Sequence, residues 1–130
     1  MCQTLVTGIQ QIWRFFRGLA VGFWSFLRRR RSISGGKARE LVLDGASLLD
    51  VRTSDEFSEN RLPGAINIPI TELSRRYHEL SVEKPIVVYC EDGQRSRRAI
   101  RLLGRVKTVH AYNLGAMRRW KRKRRITDNL

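Results

Sequence analysis

Apolar residues between positions 4 and 27 recur at helical spacing. At about 100° per residue, Leu5, Val6, Ile9, Ile12, Trp13, Phe15, Phe16, Leu19, Phe23, Trp24, Phe26 and Leu27 share one half of a helix surface. Gln10, Gln11, Arg14, Arg17, Ser25 and Arg28 fill the other half, with Val21 the apolar exception, and Thr7 with Gln10 has the spacing of a capping box. The segment is predicted to be an amphipathic helix. Four arginines at 28–31 follow, then Ser32, Ile33, Ser34, Gly35 and Gly36, a charge run and small-residue stretch expected to act as a hinge. Residues 1–36 are therefore read as a basic N-terminal helix and hinge.

From Lys37 the pattern changes to short alternating elements. A brief helix is predicted over 37–43, stopping near Gly45, and an apolar strand over 47–51. Thr53 and Glu56 have capping-box spacing and open a short helix; Pro63-Gly64 marks a turn, and 65–68 reads as a second strand. Thr71 is expected to cap a helix reaching about Leu80. The β-branched run 86–89 has the character of a strand buried on both faces. A helix over 96–103 stops at Gly104, a strand follows over 108–112, and residues from Ala116 onward are predicted helical into the basic tail. Strands alternating with helices predict an α/β domain, a central parallel sheet flanked by helices, over residues 37–120, with 121–130 as a basic C-terminal tail.

At 130 residues, a second core of ordinary size does not fit, and 42% hydrophobic with 29% charged residues is the composition of a chain that folds. The net charge of +14 sits at the ends. Residues 1–40 carry eight basic residues and one acid, residues 118–130 seven and one, and residues 41–117 eleven and ten. A near-neutral middle disfavours nucleic acid as the partner of the folded domain and points to terminal arms that meet another anionic surface. Only Cys2 and Cys90 could pair, too few for the framework of a small secreted domain, so the thiols are expected to be free in a reducing compartment. No Cys/His spacing suits zinc, and no metal or cofactor is expected.

Cys90 ends the buried strand, at the carboxyl edge of the sheet where α/β proteins do their chemistry. It begins Cys90-Glu91-Asp92-Gly93-Gln94-Arg95-Ser96, a tight loop leading into a helix. Such a loop, with Gly93 free to take a positive φ, can turn backbone N–H groups inward as an anion nest, and with Arg95 alongside it favours the reactive thiolate. Cys90 is the expected nucleophile, and Glu91, Asp92, Gly93, Gln94, Arg95 and Ser96 are the expected substrate-binding residues. His78 on a surface helix and His110 in a strand are poor candidates for a general base. Asp50 and Arg52 are expected to pair structurally, and Trp120 to anchor the core.

The stretch from Leu48 to Trp120 resembles the rhodanese, or single-domain sulfurtransferase, family. The resemblance is carried by Leu48-Leu49-Asp50-Val51-Arg52 with Glu56-Phe57; Pro63-Gly64-Ala65-Ile66-Asn67-Ile68-Pro69; Pro85-Ile86-Val87-Val88-Tyr89-Cys90; Gly93 with Arg95-Ser96; and Tyr112-Asn113-Leu114-Gly115 with Trp120. It implies a rhodanese fold and an enzyme of the thiosulfate sulfurtransferase type, in which Cys90 takes sulfane sulfur from a donor as a persulfide and passes it to a thiol or other thiophilic acceptor. The chain departs from the family at Asn60-Arg61-Leu62, where Gly-His-Ile is usual, and Leu114-Gly115-Ala116-Met117 is one residue short of the usual pattern. The acidic Glu91 and Asp92 oppose anionic thiosulfate, so another persulfide or a protein donor is expected to suit the site better. Dual-specificity phosphatases of the same fold need Cys-x5-Arg; here four residues separate Cys90 from Arg95, a cradle too small for phosphate. The alternative is a catalytically weak rhodanese-like module that recruits a partner at a membrane surface.

The N-terminal segment is expected to lie in the interface of an anionic membrane, which makes the protein cytoplasmic and peripheral, or mitochondrial in a eukaryote. Spanning takes about 20 mainly apolar residues, and Arg14 and Arg17 would each cost about 2.5 to 3.5 kcal/mol at a helix centre. A presequence would also be Arg-rich and free of acids, but Trp13, Phe15, Phe16, Phe23, Trp24 and Phe26 suit an interfacial helix better. Arginines 28–31 and the basic run 118–125 would then meet anionic headgroups. The competing expectation is that this apolar face packs on the domain or on a second copy.

Overall fold

A computed structural model describes residues 32–106 and 108–121. The amphipathic segment, Cys2 and the basic tail beyond Lys121 lie outside the described residues. In chain order the elements are α1 (Gly35–Leu43), β1 (Ser47–Asp50), α2 (Ser54–Glu59), β2 (Ile66–Asn67), α3 (Leu73–Arg76) with a 3-10 turn (Tyr77–Glu79), β3 (Ile86–Cys90), α4 (Gln94–Leu103), β4 (Ala111–Ala116) and a closing 3-10 helix (Met117–Lys121).

The four strands form one sheet in the order β2-β1-β3-β4, every pair parallel. Because side chains alternate across a strand, the buried run Ile86-Val87-Val88-Tyr89-Cys90 divides between two cores. Ile86, Val88 and Cys90 join Leu49, Val51, Ile68, Leu73, Ala99 and Leu103 on one side. Val87 and Tyr89 join Ala38, Leu48, Leu62 and Leu114 on the other, with Met117 and Trp120 packed against them. Two apolar faces on β3 explain why it reads as a continuous β-branched run, and why it occupies the centre of the sheet.

Local chemistry sets the helix starts. Thr53 caps α2 with Glu56 in a complete capping box, and Ser34 caps α1 by accepting the Lys37 N–H at 3.2 Å. That cap starts α1 two residues earlier than expected and takes Gly35 and Gly36 out of the small-residue stretch and into the helix. Ser32 forms a parallel bridge with Asn113, the Ile33 N–H donates to the Asn113 carbonyl at 2.9 Å, and Gly35 lies against the Arg119 backbone. These small residues permit close approach between chain segments where mobility had been expected.

Three further expectations are corrected. Thr71 caps nothing: α3 starts after Glu72, which has no side-chain cap, lasts four residues, and tightens into the 3-10 turn. The strand expected over 108–112 lies at Ala111–Ala116, and His110 precedes it. Its pairing with β3 shifts between Val88 and Tyr89, where Gly115 at φ +82° absorbs the irregularity. From Ala116 the expected tail helix is a 3-10 helix over its described part.

Candidate active site

Cys90 is the last residue of β3 and has no exposed surface. The chain turns over its sulfur at once. Gly93 adopts φ +96°, a left-handed conformation open to glycine at little cost, and its N–H points back at Sγ from 3.0 Å. The Ser96 N–H, in the first turn of α4, donates to the same sulfur at 3.4 Å. The Ser96 hydroxyl donates to the Gly93 carbonyl at 3.0 Å and holds the turn closed. Two backbone dipoles thus converge on one sulfur at a helix start, an arrangement that stabilises negative charge there.

Asp92 is the third contact, with Oδ1 3.8 Å from Sγ, where it accepts from the thiol. The same oxygen accepts the Gln94 N–H at 2.9 Å. That backbone bond is the main reason the Asp92 carboxyl is held below its ordinary range.

Arg95 makes its side-chain hydrogen bonds away from the sulfur, while its charge still acts through space on Cys90 and Asp92. Its guanidinium grips Glu56 of α2 with two parallel bonds, Nη1 to Oε2 at 2.6 Å and Nη2 to Oε1 at 2.8 Å. Glu56 also accepts the Thr53 N–H and hydroxyl, each at 3.0 Å. Together these bonds, Arg95 foremost, lower the Glu56 carboxyl to about 2. The arginine expected beside the thiolate is also a strut between the loop and α2. Glu56 is the residue that sequence reasoning missed as part of the site: it was read as a cap alone, although it stands in one of the segments that carry the family resemblance.

These features, a cysteine at the end of the central strand beneath a loop that closes on it, belong to a known architecture. The family model for the Rhodanese-like domain matches residues 34–123. The chain belongs to the rhodanese-like family. The uncharacterized protein YqhL of Bacillus subtilis is 38% identical over 58% of this chain, which spans 60% of YqhL. The human thiosulfate:glutathione sulfurtransferase is 32% identical over 68% of this chain and 91% of its own length. The solved structure of the human single-domain sulfurtransferase TSTD1 superposes with a TM-score of 0.59 at 28% identity, covering 71% of this chain and 97% of that one.

In this rhodanese-like domain a second network braces the site from below. Asp50, fully buried at the end of β1, accepts the Arg52 N–H at 2.8 Å, and Arg52 Nε and Nη2 bind its carboxylate at 2.8 to 3.1 Å. The Arg52 guanidinium also donates to the Asn60 carbonyl and, at 3.3 Å, to Glu91. Asn67 ties β2 in by donating to the Asp50 and Arg52 carbonyls, both at 3.0 Å. The structural reading of Asp50 and Arg52 agrees with this geometry, and Arg52 reaches the loop over Cys90 through Glu91.

The structure therefore brings Gly93, Ser96 and Asp92 to the sulfur, directs Arg95 to Glu56 and Glu91 to Arg52, and leaves Gln94 exposed with its backbone N–H on Asp92. His78 and His110 are both exposed. Among the described residues, no three His, Cys, Asp or Glu side chains are grouped to hold a metal ion.

Proposed function

We propose that the protein is a sulfurtransferase that carries sulfane sulfur on Cys90 as a persulfide. The observation that carries this reading is the pair of N–H groups, from Gly93 and Ser96, aimed at Cys90 Sγ. In the first half-reaction the Cys90 thiolate attacks the sulfane sulfur of a donor such as thiosulfate or a persulfide. The Sγ–S bond forms, the donor's S–S bond breaks, and sulfite or a thiolate leaves with the electron pair. In the second half-reaction an acceptor thiolate attacks the outer sulfur and Cys90 leaves as the thiolate, its charge met by the same two N–H groups. A human relative named for thiosulfate and glutathione supports a small thiol as acceptor. Neither half-reaction activates a water, since in each the attacking group is a sulfur nucleophile.

The test is turnover. Purified full-length protein given a sulfane donor and cyanide should release thiocyanate, and Cys90→Ser should release none. Equal rates from both proteins overturn the assignment of Cys90. Absence of release from both favours the catalytically weak binding module.

A second proposal concerns location. The apolar stripe over residues 4–27 and the basic runs at each end support peripheral attachment to an anionic membrane. Full-length protein should sediment with anionic vesicles at low salt, less so at high salt, and deletion of residues 1–31 should abolish this while leaving thiocyanate release intact. Protein that stays in the supernatant at low salt overturns the attachment.

A further inference from the structure

The groups around Cys90 Sγ set the sign of the charge that an approaching donor meets. The sulfur has no exposed area, and the Asp92 carboxylate lies 3.8 Å from it. A donor sulfur close enough to bond with Sγ is therefore within a few ångströms of Asp92. Glu91, its side chain 63% exposed, is the adjoining residue of the same loop. The Asp92 carboxyl, lowered chiefly by the Gln94 N–H, is ionised at neutral pH.

The nearby cations make their hydrogen bonds to other groups, although Arg95 still acts through space on Cys90 and Asp92. Arg95 spends both terminal nitrogens on Glu56. Arg52, 3% exposed, is held by Asp50, the Asn60 carbonyl and Glu91. Arg97 remains, its Nε donating to the Gly93 carbonyl at 3.4 Å. Asp50 and Glu56 are matched by Arg52 and Arg95, so among the groups bonded to this loop Glu91 and Asp92 stand against Arg97.

Resting on the sulfur-transfer reading above, we propose that Glu91 and Asp92 select donors by charge, disfavouring anionic thiosulfate and favouring a persulfide on a positively charged carrier. The Cys90 thiolate attacks the outer sulfur of R–S–SH; the Sγ–S bond forms, the donor's S–S bond breaks, and R–S⁻ leaves with the electron pair and takes a proton from water. Sulfur passes from one thiol to another with no external oxidant or reductant. A unit charge about 4 Å from a carboxylate near a protein surface changes such a rate by about tenfold or more. At about 0.15 M salt the screening length is about 8 Å, so this contact survives while more distant charges are largely screened.

The experiment uses the full-length chain at that salt and three donors: cysteamine persulfide, mercaptopropionate persulfide and thiosulfate. The two persulfides are of similar length and opposite carrier charge. The rate of Cys90 loading is read by quenched intact-mass measurement. Cysteamine persulfide should load about tenfold faster than mercaptopropionate persulfide, and thiosulfate should be slower than the cationic donor. Glu91→Gln and Asp92→Asn should each shrink the ratio between the two persulfides. Because Asp92 also holds the Gln94 N–H, Glu91→Gln is the variant that leaves this loop contact in place. A wild-type ratio near one, or a ratio that neither variant changes, overturns charge selection alone. Failure of all three donors to load Cys90 overturns the sulfur-transfer reading with it.

Discussion

Arg95 and Glu56, 39 positions apart, are joined by a two-pronged ion pair that fastens the loop over Cys90 to the first turn of α2. The same carboxylate completes the capping box with Thr53, so one side chain serves a helix start and the loop over Cys90. Glu56→Gln should cost about 1 kcal/mol, because both partners are about one-third exposed and solvent screens the pair, while part of the cap survives. It should also lower the sulfur-transfer rate by loosening the loop.

The pH dependence of this pair has a definite sign. The Glu56 carboxyl falls from 4.5 to about 2 on folding, so its contribution to stability is complete above about pH 4.5 and is lost as pH falls toward 2. Urea unfolding at several pH values should show a smaller loss of stability over that window in Glu56→Gln than in the parent. Identical acid limbs would show that the ion pair contributes nothing in solution.

Gly35 and Gly36 are neighbours at the start of α1 with opposite surroundings. A Cβ added at Gly35 would overlap the Arg119 carbonyl oxygen, whereas one at Gly36 would meet nothing nearer than 3.9 Å. Gly35→Ala should therefore cost about 2 kcal/mol or more through overpacking. Gly36→Ala should be neutral or stabilise by up to about 1 kcal/mol through helix propensity. Paired denaturant curves check this, and equal effects would restore the hinge in place of the packed segment.

Arg52 is the counter-charge of an aspartate with no exposed surface. Arg52→Ala leaves Asp50 buried and unpaired, which should cost about 3 to 5 kcal/mol. It should also release Glu91 from the base of the loop. A loss below about 1 kcal/mol in urea unfolding would mean that Asp50 finds water or another donor.

The elements legible in the sequence were those whose signal is local. The two-faced apolar run ending at Cys90, the Thr53/Glu56 capping box and the Gly104 stop each lie within a few residues, and Gly93 announced the turn over the sulfur. What was misread depends on distant partners. Nothing near Arg95 in the chain shows that Glu56 occupies it. Ser32 to Gly36 looks flexible until Asn113 and Arg119 are brought alongside. The β-branched Thr108 and Val109 look more strand-like than Asn113, Leu114 and Gly115. The latter three nevertheless pair with β3, because Gly115 can take the positive φ that the shifted register requires.

The central claim is that Cys90 holds the sulfur in transit. Its most direct test is the intact mass of full-length protein after brief exposure to a sulfane-sulfur donor and removal of the excess. The expected result is a gain of about 32 Da, one sulfur atom, on the parent protein and none on Cys90→Ser. No gain with any donor, or a gain that persists in Cys90→Ser and so lies on Cys2, would contradict it.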